Sequence, residues 1–395
     1  MGSIIGRMDI YEEALNAHKK LKGKIEVVSK AKLTSPKDLS IYYSPGVGAV
    51  ASYLADNPDK ARDYTSLNNT VAVISDGSAV LGLGNIGPKA ALPVMEGKAM
   101  LFKEFAGIDA TPIVLSTQDP DKVIETIVNI APSFGAINLE DFAAPNCFYI
   151  EDELKKRLSI PIMHDDQHGT AVVVLAGLIN ACKVTGRDLR TAKIIIIGAG
   201  AAGVAIAKLL STYGKMLSVD GNGTGPRMFA VDSKGLIHKE RTDLNESKTN
   251  LLKFTNLSDN NCEVELVIEG ADVIIGVSGP NTITQDMIKK MAKDPIIFAL
   301  ANPEPEILPA LALSAGAKII ATGRSDYPNQ VNNVLAFPGL FRGALDTGQF
   351  ITEDKKIAAA EAIASIVTEP RADYIIPSVF DKKVVEAVSA VFKNE

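Results

Sequence analysis

The stretch "KIIIIGAGAAGVAIAKLL", Lys193–Leu210, decides the fold. Four consecutive isoleucines read as a strand buried on both faces, as in a parallel sheet covered by helices. Gly198, Gly200 and Gly203 follow in G-x-G-x-x-G spacing, and "VAIAKLL" continues as a helix. In that setting the first glycine permits a tight turn and the second lets the backbone approach a pyrophosphate. The third lets helix and strand pack closely. The loop Gly198, Ala199, Gly200, Ala201, Ala202, Gly203 therefore opens onto a helix N-terminus whose unpaired N–H groups suit phosphate oxygens. The next strand, "RMFAVD", ends in Asp232, placed to bond a ribose 2′-hydroxyl. Asp232 lies 29 positions beyond Gly203, where about 20 is usual. The Gly-rich polar stretch "GKMLSVDGNGTGPRM" accounts for the excess as a surface loop. A carboxylate there repels a 2′-phosphate, yet Ser233 and Lys234 follow and could accept one. The expected cofactor is NAD, with NADP tolerated.

A second run with the same glycine spacing, "GLGNIG" (Gly82–Gly87), reads differently. Only the short "AVLGL" leads into it, Pro88 removes an N–H from the helix start, and no acid closes a following strand. It is not a dinucleotide loop.

Working outward, strand and helix patterns alternate: "TVAVISDG", "ATPIVLST", "GAINLEDF" and "IPIMHDDQHGT" before Lys193, then "RMFAVD", "ELVIEGADVIIGVSG", "PIIFALANP" and "AKIIATG". That alternation predicts an α/β protein with parallel sheets. A chain of 395 residues outgrows one hydrophobic core. We expect an N-terminal α/β catalytic domain over 1–168 and a Rossmann-type doubly wound NAD(P)-binding domain over 169–395, with a helical C-terminus, "EDKKIAAAEAIASIV" onward, packing back on the first. "DIYEEALNAHKKLKGK" reads as an opening amphipathic helix. The net charge of −6 without a sustained basic run argues against nucleic acid or an anionic membrane as partner. Three scattered cysteines fit neither a disulfide framework nor a zinc ribbon, and suit a reducing cytosol. The most apolar stretch, Thr170–Val184, is shorter than a bilayer requires. No signal peptide opens the chain, so a cytoplasmic setting is expected.

Two acidic pairs follow apolar strands: Glu140–Asp141 in "INLEDFAAP" and Asp165–Asp166 in "MHDDQHGT". Each falls at the carboxyl edge of a parallel sheet, where α/β ligand sites gather. Acids converging there need a cation, and oxygen ligands favour Mg²⁺ or Mn²⁺. Helix N-capping is the competing explanation of each pair. His164 and His168 flank the second pair, and supporting hydrogen bonds suit them better than metal ligation. Tyr43 and Lys98 stand in glycine-bracketed settings that suit a pocket wall. Asn302, Asn332 and Asn333 follow apolar segments, where amides bind carboxylates or nicotinamide, or cap turns.

Together "YSPGV", "SDGSAVLGLGNIGPKAALPVMEGKA", "FKEFAGIDATPI", "INLEDF", "HDDQHGTA", "IIGAGAAG", "FALANPEPE" and "NNVLAFPG" resemble, in order from about Tyr42 to Phe380, the short bacterial malic enzymes. The resemblance implies oxidative decarboxylation of L-malate to pyruvate and CO₂ with NAD(P)⁺ and a divalent metal. It implies Tyr43 as general acid and Lys98 as general base, a role that requires a neutral lysine. It implies Glu140, Asp141 and Asp166 as metal ligands, with Asp165 behind them. Asn302, Asn332 and Asn333 become contacts to substrate and nicotinamide, and GLGNIG a wall of the malate pocket. A homodimer or dimer of dimers is the implied assembly. One departure stands out: Ala79 occupies the place of an arginine that clamps a malate carboxylate in larger malic enzymes. Three rival readings are a malolactic reaction giving lactate, a non-catalytic nucleotide sensor, and an amino-acid dehydrogenase of similar layout.

Overall fold

A computed structural model describes residues 2–80, 82–217 and 225–393. The polar loop expected to lengthen the approach to Asp232 falls largely on 218–224, outside the described residues. The chain forms two sheets. The first contains β1 (Thr70–Ser75), β2 (Asp109–Val114), β3 (Ala136–Leu139) and β4 (Ile162–His164), all parallel in the order β2-β1-β3-β4. The second contains β5 (Lys193–Ile197), β6 (Arg227–Asp232), β7 (Gly235–Leu236), β8 (Val273–Gly276), β9 (Ile296–Ala299) and β10 (Ile319–Thr322). Its order is β10-β9-β8-β5-β6-β7, parallel except for the short antiparallel β7. Order therefore reverses at β5, and ligands of such sheets bind at the carboxyl ends beside that switch point. Ile194–Ile197 are buried on both faces, as their unbroken apolar run requires.

Helix Asp165–Thr185 joins the two halves. Its core residues, Ala171–Leu178 among them, belong to one apolar cluster with Val71 and Phe102 on one side and Ile194 and Phe298 on the other. It is longer than the apolar stretch suggested, because the helix begins five residues earlier, at Asp165. Among the described residues it is the one helix long and apolar enough to cross a bilayer, but it is mostly buried inside the protein. The helix is the shared core.

Three expectations are refined. The opening helix spans Gly2–Leu21, and the apolar side of its later turns, Ile10, Tyr11, Leu15 and Leu21, is exposed. Within "ELVIEGADVIIGVSG" only Val273–Gly276 is a strand. Val264–Ile268 is helical, and Gly270 in the left-handed region turns the chain between them. Helix Glu353–Ile366 packs on helices Asp165–Thr185 and Ala201–Met216, and the chain beyond it returns to the first half, where the rings of Phe380 and Phe105 lie 6.1 Å apart; helix Phe337–Thr347 packs on the first half as well. There Phe337 and Phe341 stack edge-on against Phe102, at centroid distances of 4.7 and 5.3 Å. The small face of the later helix (Ala359, Ala360, Ala364) admits close approach to Asp165–Thr185, and Asn180 Nδ2 donates to Ala364 O.

Candidate active site

A cleft of about 1140 Å³ lies between the two sheets. One wall comes from the first half: Ala79, Gly82, Lys98, Glu140, Asp141 and Asp166. The other comes from the loops after β5, β8 and β9 and from Asn332–Asn333.

The glycines after β5 divide their tasks as the spacing requires. Gly198 has φ +119°, and a Cβ there would stand 2.4 Å from Val277 O. A Cβ on Gly203 would meet Gly198 O at 1.9 Å. Gly200 faces open space, and with Ala201 and Ala202 it lines the cleft. Backbone N–H groups are thus exposed where a pyrophosphate would lie. Across from them, Gly82 of the second glycine run touches the other half: its Cβ would come within 2.0 Å of Asn302 O. Gly82 and Leu83 line the cleft, and Pro88 opens helix Pro88–Ala106. Leu81 lies outside the described residues.

Glu140, Asp141 and Asp166 each offer a carboxylate oxygen, and the three lie within 4.8 Å of one another. β3 and β4 are neighbours in register, so their carboxyl ends bring the two acidic pairs together. Asp141 sits in the left-handed region at φ +57°, pinned by two bonds. Its N–H donates to Asp166 Oδ2 at 2.7 Å, and its carbonyl accepts from Ala79 N at 3.0 Å. Glu140 Oε2 accepts from Asn138 Nδ2 at 2.9 Å. Burial, reinforced by Asp166, Asp165 and Asp141, pushes the Glu140 carboxyl well above its ordinary range. Four acids face one lysine, so a divalent cation held there would supply the charge the cluster lacks. The all-oxygen donor set fits Mg²⁺ or Mn²⁺.

Lys98 is that lysine. Its Nζ lies 2.6 Å from Asp165 Oδ2, 2.9 Å from Glu140 Oε1 and 4.3 Å from the Phe337 ring centroid. Burial disfavours its charge, but Asp165 and Glu140 outweigh burial and raise the amine above its usual range. The two acids thus favour the charged amine, whereas the base role implied by the sequence calls for a neutral one. Asp165 Oδ2 also accepts from Asn333 Nδ2 at 2.6 Å. Asn333 thus spends its amide on Asp165, and Asn332 caps a short turn through Val334 N, while both line the cleft. Asn302 lines it too. Among the described residues Lys98 is the only lysine or arginine on the walls.

Tyr43 is not brought to Lys98. It is 65% exposed and does not line the cleft. Asp232 also departs from its expected role: its carboxylate is already engaged by Arg241 and Lys248.

The histidines support rather than ligate. His164 Nε2 stands 3.0 Å from Asp166 Oδ2, and its Nδ1 meets Gln167 Nε2 at 2.9 Å. His168 bridges Glu151 Oε2 (2.8 Å) and Lys356 Nζ (2.9 Å), fully inside the protein. Burial pushes His168 down to about 4, with Lys356 adding to it and Glu151 opposing. A depressed folded value stabilises the native state above the unfolded value, near 6.5, and that stability is lost as pH falls through 4. Denaturant titrations should therefore show about 3 kcal/mol lost between pH 6.5 and 4 from this group. His168→Gln should flatten that leg; an unchanged slope would remove His168 as its source.

Several supports went unread in the sequence. Glu306, fully buried, accepts from Ser278 N (2.8 Å) and Ala301 N (3.0 Å) and so braces two cleft loops at once. Glu151 accepts from His164 N at 3.0 Å as well as binding His168. Gly169 inside the apolar helix of "HDDQHGT" signals a different support, Asp165, since glycine costs helix stability unless a neighbour needs its space.

Comparison with known proteins agrees with this layout. A family model described as "Malic enzyme, N-terminal domain" matches residues 22–155, and "Malic enzyme, NAD binding domain" matches residues 167–392. The chain is 54% identical over 386 residues to a bifunctional malic/malolactic enzyme of Bacillus subtilis (strain 168), spanning 97% of this chain and 92% of that protein. It is 45% identical to an NADP-dependent malic enzyme of Escherichia coli (strain K12), covering 96% of this chain but 51% of that longer protein. The crystal structure of an NAD-dependent malic enzyme from Thermotoga maritima superposes with a TM-score of 0.90 at 48% identity, over 96% of this chain and 99% of that one. With both halves of the chain matched and the two glycine runs on opposite walls of one cleft, the chain belongs to the malic enzyme family.

Proposed function

We propose that the chain oxidatively decarboxylates L-malate to pyruvate and CO₂ while reducing NAD or NADP, with Glu140, Asp141 and Asp166 holding Mg²⁺ or Mn²⁺. The observation that carries this is the placement of Lys98 and three converging carboxylates opposite the Gly198–Gly203 loop in one cleft. A divalent cation held by Glu140, Asp141 and Asp166 would supply Lewis-acid polarisation of the substrate's oxygens. Lys98 takes the C2 hydroxyl proton as hydride leaves C2 for the nicotinamide. It accepts that proton only after releasing its own, and Asp165, 2.6 Å away, is placed to take it. The C4 carboxylate then leaves as CO₂, and Tyr43 donates a proton to C3. Asn302 and Asn332, both on the cleft wall, hold the carboxylates through their amides.

A Tyr43 that is exposed on its own chain reaches a cleft when a second copy receives it. The helices Pro36–Tyr42 and Gly46–Asp56 bury no residue within the chain and expose Ile41, Tyr42, Val47 and Tyr53. Such a face fits a homodimer, or a dimer of dimers, with shared sites. The domain division falls at 168/169, inside helix Asp165–Thr185: its first turn serves the site, and the rest serves the common core. Three free cysteines and the buried apolar helix suit a cytoplasmic setting.

The test is dinucleotide reduction by the full chain with L-malate and Mn²⁺. Expected is one pyruvate per reduced cofactor, loss of turnover with chelator and recovery on adding Mn²⁺. Lactate without net reduced cofactor would replace this reading by the malolactic one. Malate left unconverted in both assays would overturn it.

A further inference from the structure

Asp232 ends β6 beside the Gly198 turn, where Gly198 N donates to Val231 O. In a dinucleotide fold this carboxylate selects NAD by accepting the adenosine ribose hydroxyl and repelling a 2′-phosphate. Here it is arranged for neither task. Oδ1 accepts from Arg241 Nη1 at 2.8 Å and Lys234 N at 2.9 Å; Oδ2 accepts from Lys248 Nζ at 2.6 Å and Arg241 Nη2 at 3.1 Å. An ionised carboxylate offers about four lone-pair sites, and four donors fill them. Asp232 is 6% exposed, so a ribose hydroxyl meets donors rather than a free acceptor.

The charges around it point the same way. Arg241 also pairs with Asp243, which in turn holds Lys234 Nζ at 2.7 Å. Three cations thus face two carboxylates, leaving the cluster with net positive charge. Arg241 is nearly buried and braced on both acids, but the Lys248 side chain is 26% exposed and the Lys234 side chain 66%. An ammonium has three donors, so each lysine keeps N–H groups to offer outward.

We propose that Lys248 and Lys234, braced by Asp232, Arg241 and Asp243, form the binding subsite for the 2′-phosphate of NADP, and that this chain therefore prefers NADP. The inference rests on the dinucleotide reading of the cleft. Its test separates the two by measuring binding without malate or metal. Calorimetry on the full chain should find 2′-phospho-ADP-ribose bound more tightly than ADP-ribose. Lys248→Met should weaken the 2′-phosphorylated ligand by at least about tenfold, the loss of one charge-assisted bond. Its affinity for ADP-ribose should stay within about twofold. Lys234→Met should act in the same direction, by less, because Lys234 is the more exposed. In Mn²⁺-dependent turnover, Lys248→Met should lower kcat/KM with NADP selectively and leave the KM for malate unchanged. Tighter binding of ADP-ribose by the unaltered chain, or equal loss of both ligands in Lys248→Met, would overturn the subsite. If neither ligand bound, the dinucleotide reading itself would fail, and the subsite with it.

Discussion

Lys98→Met is expected to lower kcat for malate oxidation by about 10²–10⁴-fold, the range general base catalysis supplies. Dinucleotide binding should be nearly unchanged. Among the described residues the amine is the only lysine or arginine nitrogen on the cleft walls, and it lies within 3 Å of both Asp165 and Glu140. Removing it leaves two buried carboxylates without their partner, and breaking a buried pair on one side costs about 3–5 kcal/mol of stability. Thermal melts must therefore accompany the kinetics, so that a lost site is not confused with a lost fold. Lys98→Ala, which vacates the side chain's space beside Phe337, should be partly rescued by small amines. Turnover near that of the unaltered chain would remove Lys98 from the chemistry. The same variant tests whether sites are shared. Mixed with Tyr43→Phe, it should recover about a quarter of full activity, because half the dimers are mixed and one site in each is whole. No recovery on subunit exchange would place Tyr43 in its own chain's cleft.

Gly169→Ala should be nearly as damaging, although the substitution looks favourable on helix propensity. In an ordinary helix interior alanine is better than glycine by about 1 kcal/mol. Here a Cβ at 169 would stand 1.9 Å from Asp165 Oδ1 and 3.1 Å from Asn333 Cβ. Asp165 is one turn earlier on the same helix, and the missing Cβ gives its carboxylate room to lie along the backbone. From there Oδ2 reaches both Lys98 and Asn333 at 2.6 Å. Alanine would turn that carboxylate away and break both bonds. Overpacking of this kind costs about 1–3 kcal/mol, and a displacement near 1 Å at a reacting group costs about 10²-fold in rate. Gly169→Ala is therefore expected to melt lower and lose kcat by about 10²-fold, with little change in the KM for dinucleotide. Combined with Asp165→Ala it should add almost nothing, since both act through one carboxylate. A variant that melts higher and keeps its kcat would show that Asp165 does not depend on the glycine.

These two residues also mark how far the sequence reaches. Lys98 was legible as a candidate because it stands beside glycines in a stretch that resembles a known family. Its charge state was not legible: that depends on Asp165 and Glu140, which are 67 and 42 positions away and meet Lys98 only through β3, β4 and the helix that follows. Gly169 was visible as a glycine in an apolar helix, but the atom requiring its space was not. Asp232 shows the same limit from the other side. Its position after an apolar strand was correct, and its expected freedom was not, because Arg241 and Lys248 lie on segments with no strong periodic pattern.

The sequence by itself determined the alternation of strand and helix, the Gly198–Gly203 cradle and the four acids at strand ends. Those features depend on local spacing: period, turn residues and the distance from a strand to its first polar residue. Only the tertiary structure decided which side chains share a charge. It placed Lys98 between two carboxylates, set Tyr43 outside its own cleft and closed Asp232 behind an arginine and a lysine. The physical reason is that ionisation and hydrogen bonding are decided over a few ångströms, by groups that the folded sheets bring together from distant parts of the chain.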